Sequence, residues 1–344
     1  MPIERVKQAL TDIKQGKMVV MIDDEDRENE GDLVYAATFS TPKLVNFMAS
    51  YAKGLICVAL SKDIADRLKL NPMVKDNNSS YETAFTVSVD AKECATGISA
   101  YERDLTIRLL ADYKTSPEDL VRPGHIFPLI SKEGGTLVRT GHTEGSVDLC
   151  MIAGVSPAAV ICEIMKDDGT MARRDDLELF AKEHCLNIVY ISDIIEYRLR
   201  YEYLVRTIAE SKSSFLGNEA RRIDFIDHQG NHHIAFLFGK ISTVSQVRFH
   251  NIGSDFDLLT KNNNFYKLMN AVERLKKDGG ALIFLDNREN REKSEMRDYG
   301  IGAQIVKKLG IENIKLLVGS KGREFVGISG FGLNITKEIE LEGK

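Results

Sequence analysis

Residues 23 to 32 read DDEDRENEGD, seven acidic side chains in ten positions with Arg27 as the only cation. Charge packed this densely repels itself, and burial makes the repulsion worse. It follows an apolar run, Val19-Val20-Met21-Ile22, and Gly31 interrupts it before the next apolar segment. Two arrangements are stable. Either the stretch is a solvated tail, or it converges on positive charge, and a hard divalent cation with oxygen ligands suits it. Acidic tails normally occupy a terminus or a low-complexity tract. A loop leaving an apolar strand favours the cation.

A chain of 344 residues can hold two cores. With 46 Lys and Arg against 51 Asp and Glu, its net charge of −5 argues against general nucleic-acid binding. No apolar run approaches the ~18–20 residues of a membrane span, and the opening lacks the pattern of a secretory signal. The five cysteines, Cys57, Cys94, Cys150, Cys162 and Cys185, are scattered without a CxxC pair. They read as reduced thiols. The expectation is a soluble cytoplasmic protein with neither a membrane nor a nucleic-acid partner.

Ile3, Val6, Leu10 and Ile13 are spaced for one face of a helix within residues 1–15. Strands are expected at Val19–Ile22, Leu55–Leu60 and Ile188–Ile191, with helices at Thr41–Tyr51, Ile64–Leu68 and Asp175–His184. Phe85–Val89 alternates apolar and polar residues like a half-buried strand. Glu196–Glu210 reads as a charged helix and Lys212–Asn218 as a linker. The expected domains are therefore 1–203 and 204–344. In the second, strands are predicted at Ile234–Phe238, Ala281–Leu285 and Lys315–Val318. A helix over Gly302–Leu309 should end at a left-handed Gly310.

Three further segments carry chemistry. In Arg139-Thr140-Gly141-His142-Thr143-Glu144-Gly145-Ser146, small residues admit a ligand to the backbone, and Arg139 and Thr143 can hold a phosphate. His142 can bind metal or move protons. The alternative is a polar turn with a surface histidine. Arg122-Pro123-Gly124-His125-Ile126-Phe127-Pro128-Leu129 holds one imidazole in a stiff backbone, as an acid–base group or as a hydrogen-bonded structural residue. Glu163 sits in the apolar run Val160–Met165, either salt-bridged or with the shifted pKa of a catalytic acid. Assembled, these pieces would suit metal-assisted proton chemistry on a phosphorylated carbonyl compound.

The ordered segments DDEDRENEGDL, GLICVAL, TAFTVSVD, TGISAYERDLTI, RPGHIFPL and RTGHTEGSVDL resemble the 3,4-dihydroxy-2-butanone-4-phosphate synthases of the riboflavin pathway. The resemblance covers roughly residues 1–200. It implies a lyase that converts D-ribulose 5-phosphate to L-3,4-dihydroxy-2-butanone 4-phosphate and formate with Mg²⁺ or Mn²⁺. It also implies a homodimer with an α+β fold, a mixed sheet flanked by helices. Carried onto this chain, Glu28 and His142 would bind the metal. Arg27, Glu28, Asp32, Arg139, Thr140, Gly141, His142, Thr143 and Glu163 would contact substrate, and His125 and Glu163 would be catalytic. Cys57 either lines the pocket or belongs to the core.

Asp298-Tyr299-Gly300-Ile301-Gly302-Ala303-Gln304-Ile305-Val306 and Phe331-Gly332-Leu333 resemble GTP cyclohydrolase II, implying an α/β second domain. That family binds zinc through three cysteines, and this chain has no cysteine after Cys185. Its RQEGRG segment is replaced by Asp286-Asn287-Arg288-Glu289-Asn290. Val247–Ser254 offers no thiolate. His228, His232, His233 and His250 could substitute only if they converged, yet His232 and His233 would face opposite sides of a strand. No zinc is expected and the domain should be inactive. The alternative is a bifunctional enzyme.

Overall fold

The computed structural model describes residues 1–25, 27–79, 81, 83–202, 205–227, 230–261, 263–286, 295–319 and 333–341, with the backbone alone for 295–300. Two compact units divide it, Met1–Tyr197 and Arg198–Lys344.

In the first unit, helix α1 (Pro2–Lys14) starts on a proline whose missing N–H would have no intrahelical partner there. It buries Ile3, Val6, Leu10 and Ile13 as their spacing predicts. Strands β1 (Val19–Ile22), β2 (Gly31–Ala36), β3 (Cys57–Leu60), β4 (Val89–Ala91), β5 (Leu120–Ile130), β6 (Ala158–Glu163) and β7 (Asn187–Tyr190) form one mixed sheet. Its order is β4-β5-β3-β6-β2-β1-β7. Strand β1 runs antiparallel to β2 and parallel to β7, and β2 is antiparallel to β6.

Both faces of the sheet are covered, so its central strands are apolar throughout rather than alternating. One face packs on helices α2 (Pro42–Phe47), α3 (Lys62–Arg67), α4 (Ala100–Ala111) and α6 (Arg174–Glu183), through Val45, Ile64, Ile107, Leu110 and Leu177. Against the other lies α5 (His142–Ala153), buried on every residue from His142 to Cys150. A helix buried all round belongs at the centre of a fold, and α5 starts at the histidine of the RTGHT segment.

Several expectations need correction. The alternation at Phe85–Val89 is not followed by burial, since Thr86 and Ser88 are buried like Val89 while Phe85 and Val87 are half-buried. Thr86 Oγ1 donates to the Pro128 carbonyl at 3.1 Å, and the Ser88 hydroxyl accepts the Gly124 N–H at 3.2 Å. Arg122–Leu129, the stiff backbone around His125, lies within β5. Glu196–Glu210 is not one helix, since α7 (Ile191–Tyr201) ends and β8 (Val205–Phe215) begins inside it. The supposed linker Lys212–Asn218 is a hairpin from β8 to β9 (Asn218–Asp227), turning at Leu216-Gly217, both left-handed. Hydroxyl-rich, charged sequence on an exposed edge strand looks like a linker because neither buries apolar surface. The first unit accordingly closes at Tyr197, earlier than the expected 203.

The second unit adds β10 (His232–Phe238), β11 (Val244–Asn251), α8 (Asp255–Thr260), α9 (Asn264–Asp278), β12 (Gly280–Leu285), α10 (Glu295–Lys308), β13 (Asn313–Val318) and β14 (Asn334–Glu340). Its sheet order is β14-β13-β11-β12-β10-β9-β8. Strands β14, β13, β11 and β12 pair in parallel, and the remainder are antiparallel. The three predicted strands lie within β10, β12 and β13, the predicted helix ends one residue beyond α10, and Gly310 has φ 75° after that helix. Asp298–Val306 falls in α10. His228, Asn287–Asn290 and Phe331-Gly332 lie outside the described residues.

Candidate functional site

Strand β1 delivers the acidic segment at its end, and Asp23 folds it. The buried Asp23 carboxylate accepts the backbone N–H of Glu28 at 3.2 Å and of Glu30 at 2.9 Å, and Arg27 Nη1 at 2.8 Å. Arg27 also reaches Glu28 Oε2 at 3.0 Å. Glu28 Oε2 in turn stands 3.7 Å from His142 Nδ1. Among the described residues, Asp23, Glu28 and His142 are the group whose potential ligand atoms all lie within 4.8 Å of one another. Three lone pairs of Asp23 are already engaged, so Glu28 and His142 are the freer donors.

His142 is 7% exposed, and its Nε2 is buried with no hydrogen-bond partner. An orphaned buried nitrogen normally costs about 1–3 kcal/mol. Burial disfavours the imidazolium, but Asp32, Glu28 and Asp23 outweigh it and push the pKa up to about 9. Burial also opposes charge on Glu28, yet His142 and Arg27 hold its pKa below the usual range. Two carboxylates and an imidazole with an unused ring nitrogen form a donor set that fits a divalent cation.

Asp32 and Glu163 are brought together by sheet register, as direct partners of β2 and β6. Asp32 is buried; that burial, with repulsion from Glu163, Glu28 and Glu30 and opposed by His142, raises its pKa to about 7. Glu163 Oε2 accepts the Leu55 N–H at 2.9 Å. A Cβ on Gly54 would come within 2.6 Å of that same oxygen, so only glycine lets the carboxylate sit there. Cys57 is buried, and burial followed by the charges of Glu163 and Asp32 drives its thiol well above the ordinary pKa. It is a neutral core thiol.

Arg139 Nη1 pairs with Glu144 Oε2 at 2.5 Å, and Nη2 donates to the Tyr81 carbonyl at 3.0 Å. The Tyr81 ring lies under the Arg27 guanidinium, 5.0 Å to its centroid, and its hydroxyl donates to the Arg27 carbonyl at 3.0 Å. One tyrosine thus joins the acidic loop to the RTGHT segment. Thr140 precedes Gly141, the N-cap of α5, and Thr143 is buried in its first turn. The cap has no side-chain acceptor, so the first amides face the site with the positive end of the helix.

His125 stands apart. It lies on β5, two strands from β6, and its polar contacts are with Asp90 rather than with the acidic cluster. Asp90 Oδ1 accepts the His125 backbone N–H at 2.8 Å, and Oδ2 is 2.8 Å from Nδ1. Gly97, at φ 85°, makes room for the pair, since a Cβ there would meet Asp90 Oδ2 at 2.0 Å. Sequence reading singled out neither Asp23, Asp90 nor Tyr81. For Asp90 the available signal was a carboxylate closing an otherwise strand-like segment; for Tyr81 there was none.

In the second unit, His232 is exposed and His233 buried, on opposite faces as expected. His233 Nδ1 accepts the Asp286 N–H at 3.1 Å, and Nε2 lies 3.4 Å from Asp227 Oδ2. Both ring nitrogens therefore have protein partners.

The sequence profile of 3,4-dihydroxy-2-butanone 4-phosphate synthase matches residues 7–197, and that of GTP cyclohydrolase II matches residues 287–340. A protein of Sulfurospirillum multivorans named 3,4-dihydroxy-2-butanone 4-phosphate synthase is 66% identical over 339 residues, 98% of this chain and 95% of its own. The crystal structure of RibBX, a two-domain 3,4-dihydroxy-2-butanone 4-phosphate synthase from A. baumannii, matches with TM-score 0.80 at 38% identity. That likeness covers 99% of this chain and 100% of the other. A 3,4-dihydroxy-2-butanone 4-phosphate synthase in complex with two magnesium ions matches 57% of this chain and 97% of its own, at 39% identity and TM-score 0.55. A profile spanning more than half of the chain, together with a near full-length relative, places this protein in the 3,4-dihydroxy-2-butanone 4-phosphate synthase family.

Proposed function

We propose that the first unit is a divalent-metal-dependent lyase that converts D-ribulose 5-phosphate to L-3,4-dihydroxy-2-butanone 4-phosphate and formate, a step of riboflavin biosynthesis. The observation that carries this reading is the convergence of Glu28 and the buried His142 with Asp23, their potential ligand atoms all within 4.8 Å of one another. Glu28 and His142 would hold Mg²⁺ or Mn²⁺. When bound, such an ion polarises a ketone and its neighbouring hydroxyl, acidifying the adjacent C–H.

The side chains divide the remaining work. Arg139, Thr143 and the first amides of α5 take the phosphate, with Thr140 and Gly141 shaping their approach. Arg27, neutralised in part by Asp23, faces the sugar beside Asp32. Glu163, oriented by the Leu55 amide, and Asp32 next to it exchange protons with the sugar carbons and hydroxyls. His125, braced by Asp90 through Nδ1, offers Nε2 as a further proton carrier. Ribulose 5-phosphate contains the same atoms as its two products together, so water lost at one step returns at another. Such a sequence needs groups that both give and take protons.

The same reading makes the protein a cytoplasmic homodimer, with the second unit silent toward GTP because no thiolate follows Cys185. Formate release from ribulose 5-phosphate tests the proposal. A chelator should stop it and Mg²⁺ restore it. Full turnover by chelator-stripped protein would overturn the assignment, and GTP turnover by the zinc-loaded chain would overturn the silence of the second unit.

A further inference from the structure

Arg173 belongs to none of the segments that carry the chemistry. It occupies the N-cap position of α6, where Asp176 accepts its backbone N–H at 3.0 Å. Its side chain nevertheless ends on the acidic loop. Nη1 donates to the carbonyl oxygens of Glu28 and Asn29, both at 2.7 Å, and lies 3.5 Å from the Glu30 carboxylate. Asn29 has the left-handed φ of 53°, a turn that brings these two successive carbonyls to one nitrogen. On the inner side, Asp23 collects the N–H groups of Glu28 and Glu30. The backbone of Glu28 is therefore gripped from two directions, its N–H by a carboxylate and its C=O by a guanidinium.

We propose that Arg173 is a positioning residue that sets the cation affinity of Glu28 without touching cation or sugar. This rests on the reading that Glu28 and His142 hold the ion. A ligand on a crowded acidic loop must be ordered before it binds, and every dihedral left free adds entropy lost on binding. Arg173 removes that freedom in advance. Its side chain is 48% exposed, so its charge is screened by solvent. The effect is therefore geometric, carried by the two carbonyl contacts. Helix α6 is the rigid mount, with Leu177 in the core beneath the Gly31 backbone, where a Cβ would meet its methyls at 2.7 Å.

The test is Mn²⁺ binding to the full chain, followed by electron paramagnetic resonance, with the thermal midpoint by circular dichroism on the same samples. Arg173→Ala should weaken Mn²⁺ about ten-fold, the range for groups that orient a metal ligand, while the midpoint barely moves. Mn²⁺ affinity within two-fold of the parent overturns the proposal. If the alanine variant does not fold, Arg173→Met, which keeps most of the side chain's length and has no donor, decides by the same criterion. Glu28→Gln separates the two ideas. Should it bind Mn²⁺ as the parent does, the metal assignment fails; should only the Arg173 variants do so, the clamp alone fails.

Discussion

Two buried histidines, one in each unit, sit in opposite polar surroundings. His142 in the first unit and His233 in the second are both nearly inaccessible, at 7% and 0% exposure. Around His142 the structure gathers Asp23, Glu28 and Asp32 and leaves Nε2 without a partner. Around His233 it supplies Asp227 for one nitrogen and the Asp286 amide for the other. Burial alone therefore says little about a histidine. An unpaired ring nitrogen on an imidazole surrounded by carboxylates is what sets His142 apart.

The largest expected effect breaks the comparison directly. Glu28→Gln or His142→Ala should lower formate release from ribulose 5-phosphate by more than about 100-fold, beyond what outer partners of a metal ligand contribute, with the fold intact. His233→Ala should do the reverse. Formate release should be unchanged, while the second unit loses about 1–3 kcal/mol in chemical denaturation because Asp227 and the Asp286 amide lose their shared partner. Equal activity losses from both histidines would erase the distinction.

Next in size is Asp90→Asn, a third way to treat an imidazole, since His125 has one nitrogen braced and one open. An amide in place of the carboxylate leaves the ring poorly oriented. Turnover should fall about 100-fold, the lower range for general acid–base groups. An unaltered kcat would make His125 a structural residue like His233. Arg139→Ala should follow, raising the substrate KM about ten-fold through loss of a charged hydrogen bond. A normal KM would move the phosphate elsewhere.

The smallest effect concerns the loop beside the His125–Asp90 pair. Glu102 accepts the N–H groups of Ala95 at 2.7 Å and Thr96 at 3.1 Å, and the Ser99 hydroxyl at 3.0 Å. The Thr96 amide first, then the Ala95 amide and Ser99, hold its pKa at about 2 against an ordinary 4.5. A folded value below the unfolded one means stabilisation present above pH ~4.5 and lost as pH falls toward 2. Glu102→Gln should therefore lower the thermal midpoint near neutrality, and its difference from the parent should shrink as pH falls below about 4. A difference independent of pH would remove the carboxylate from the account.

Much of the first unit is legible without coordinates, because its strands are short apolar runs and α1 has clean helical spacing. The second unit misleads at β8, where Arg206, Glu210 and Lys212 lie on an exposed edge strand that has no apolar face to advertise itself. Within the site, His142 and Glu163 could be named from residue type and company, and Glu28 and Asp32 only through the family resemblance. Asp90 and Arg173 could not, since each acts through a contact with a residue far along the chain. Nothing in VSVD or MARR indicates that partner.

By itself the sequence determined the charge density after β1, the family, and the absence of thiolates beyond Cys185. These depend only on residue identity and order. The tertiary structure decided which acidic residue points inward, which histidine keeps an unused nitrogen, and that Asp32 and Glu163 stand side by side. Those outcomes follow from sheet register and the placement of a central buried helix, which bring together groups more than a hundred positions apart.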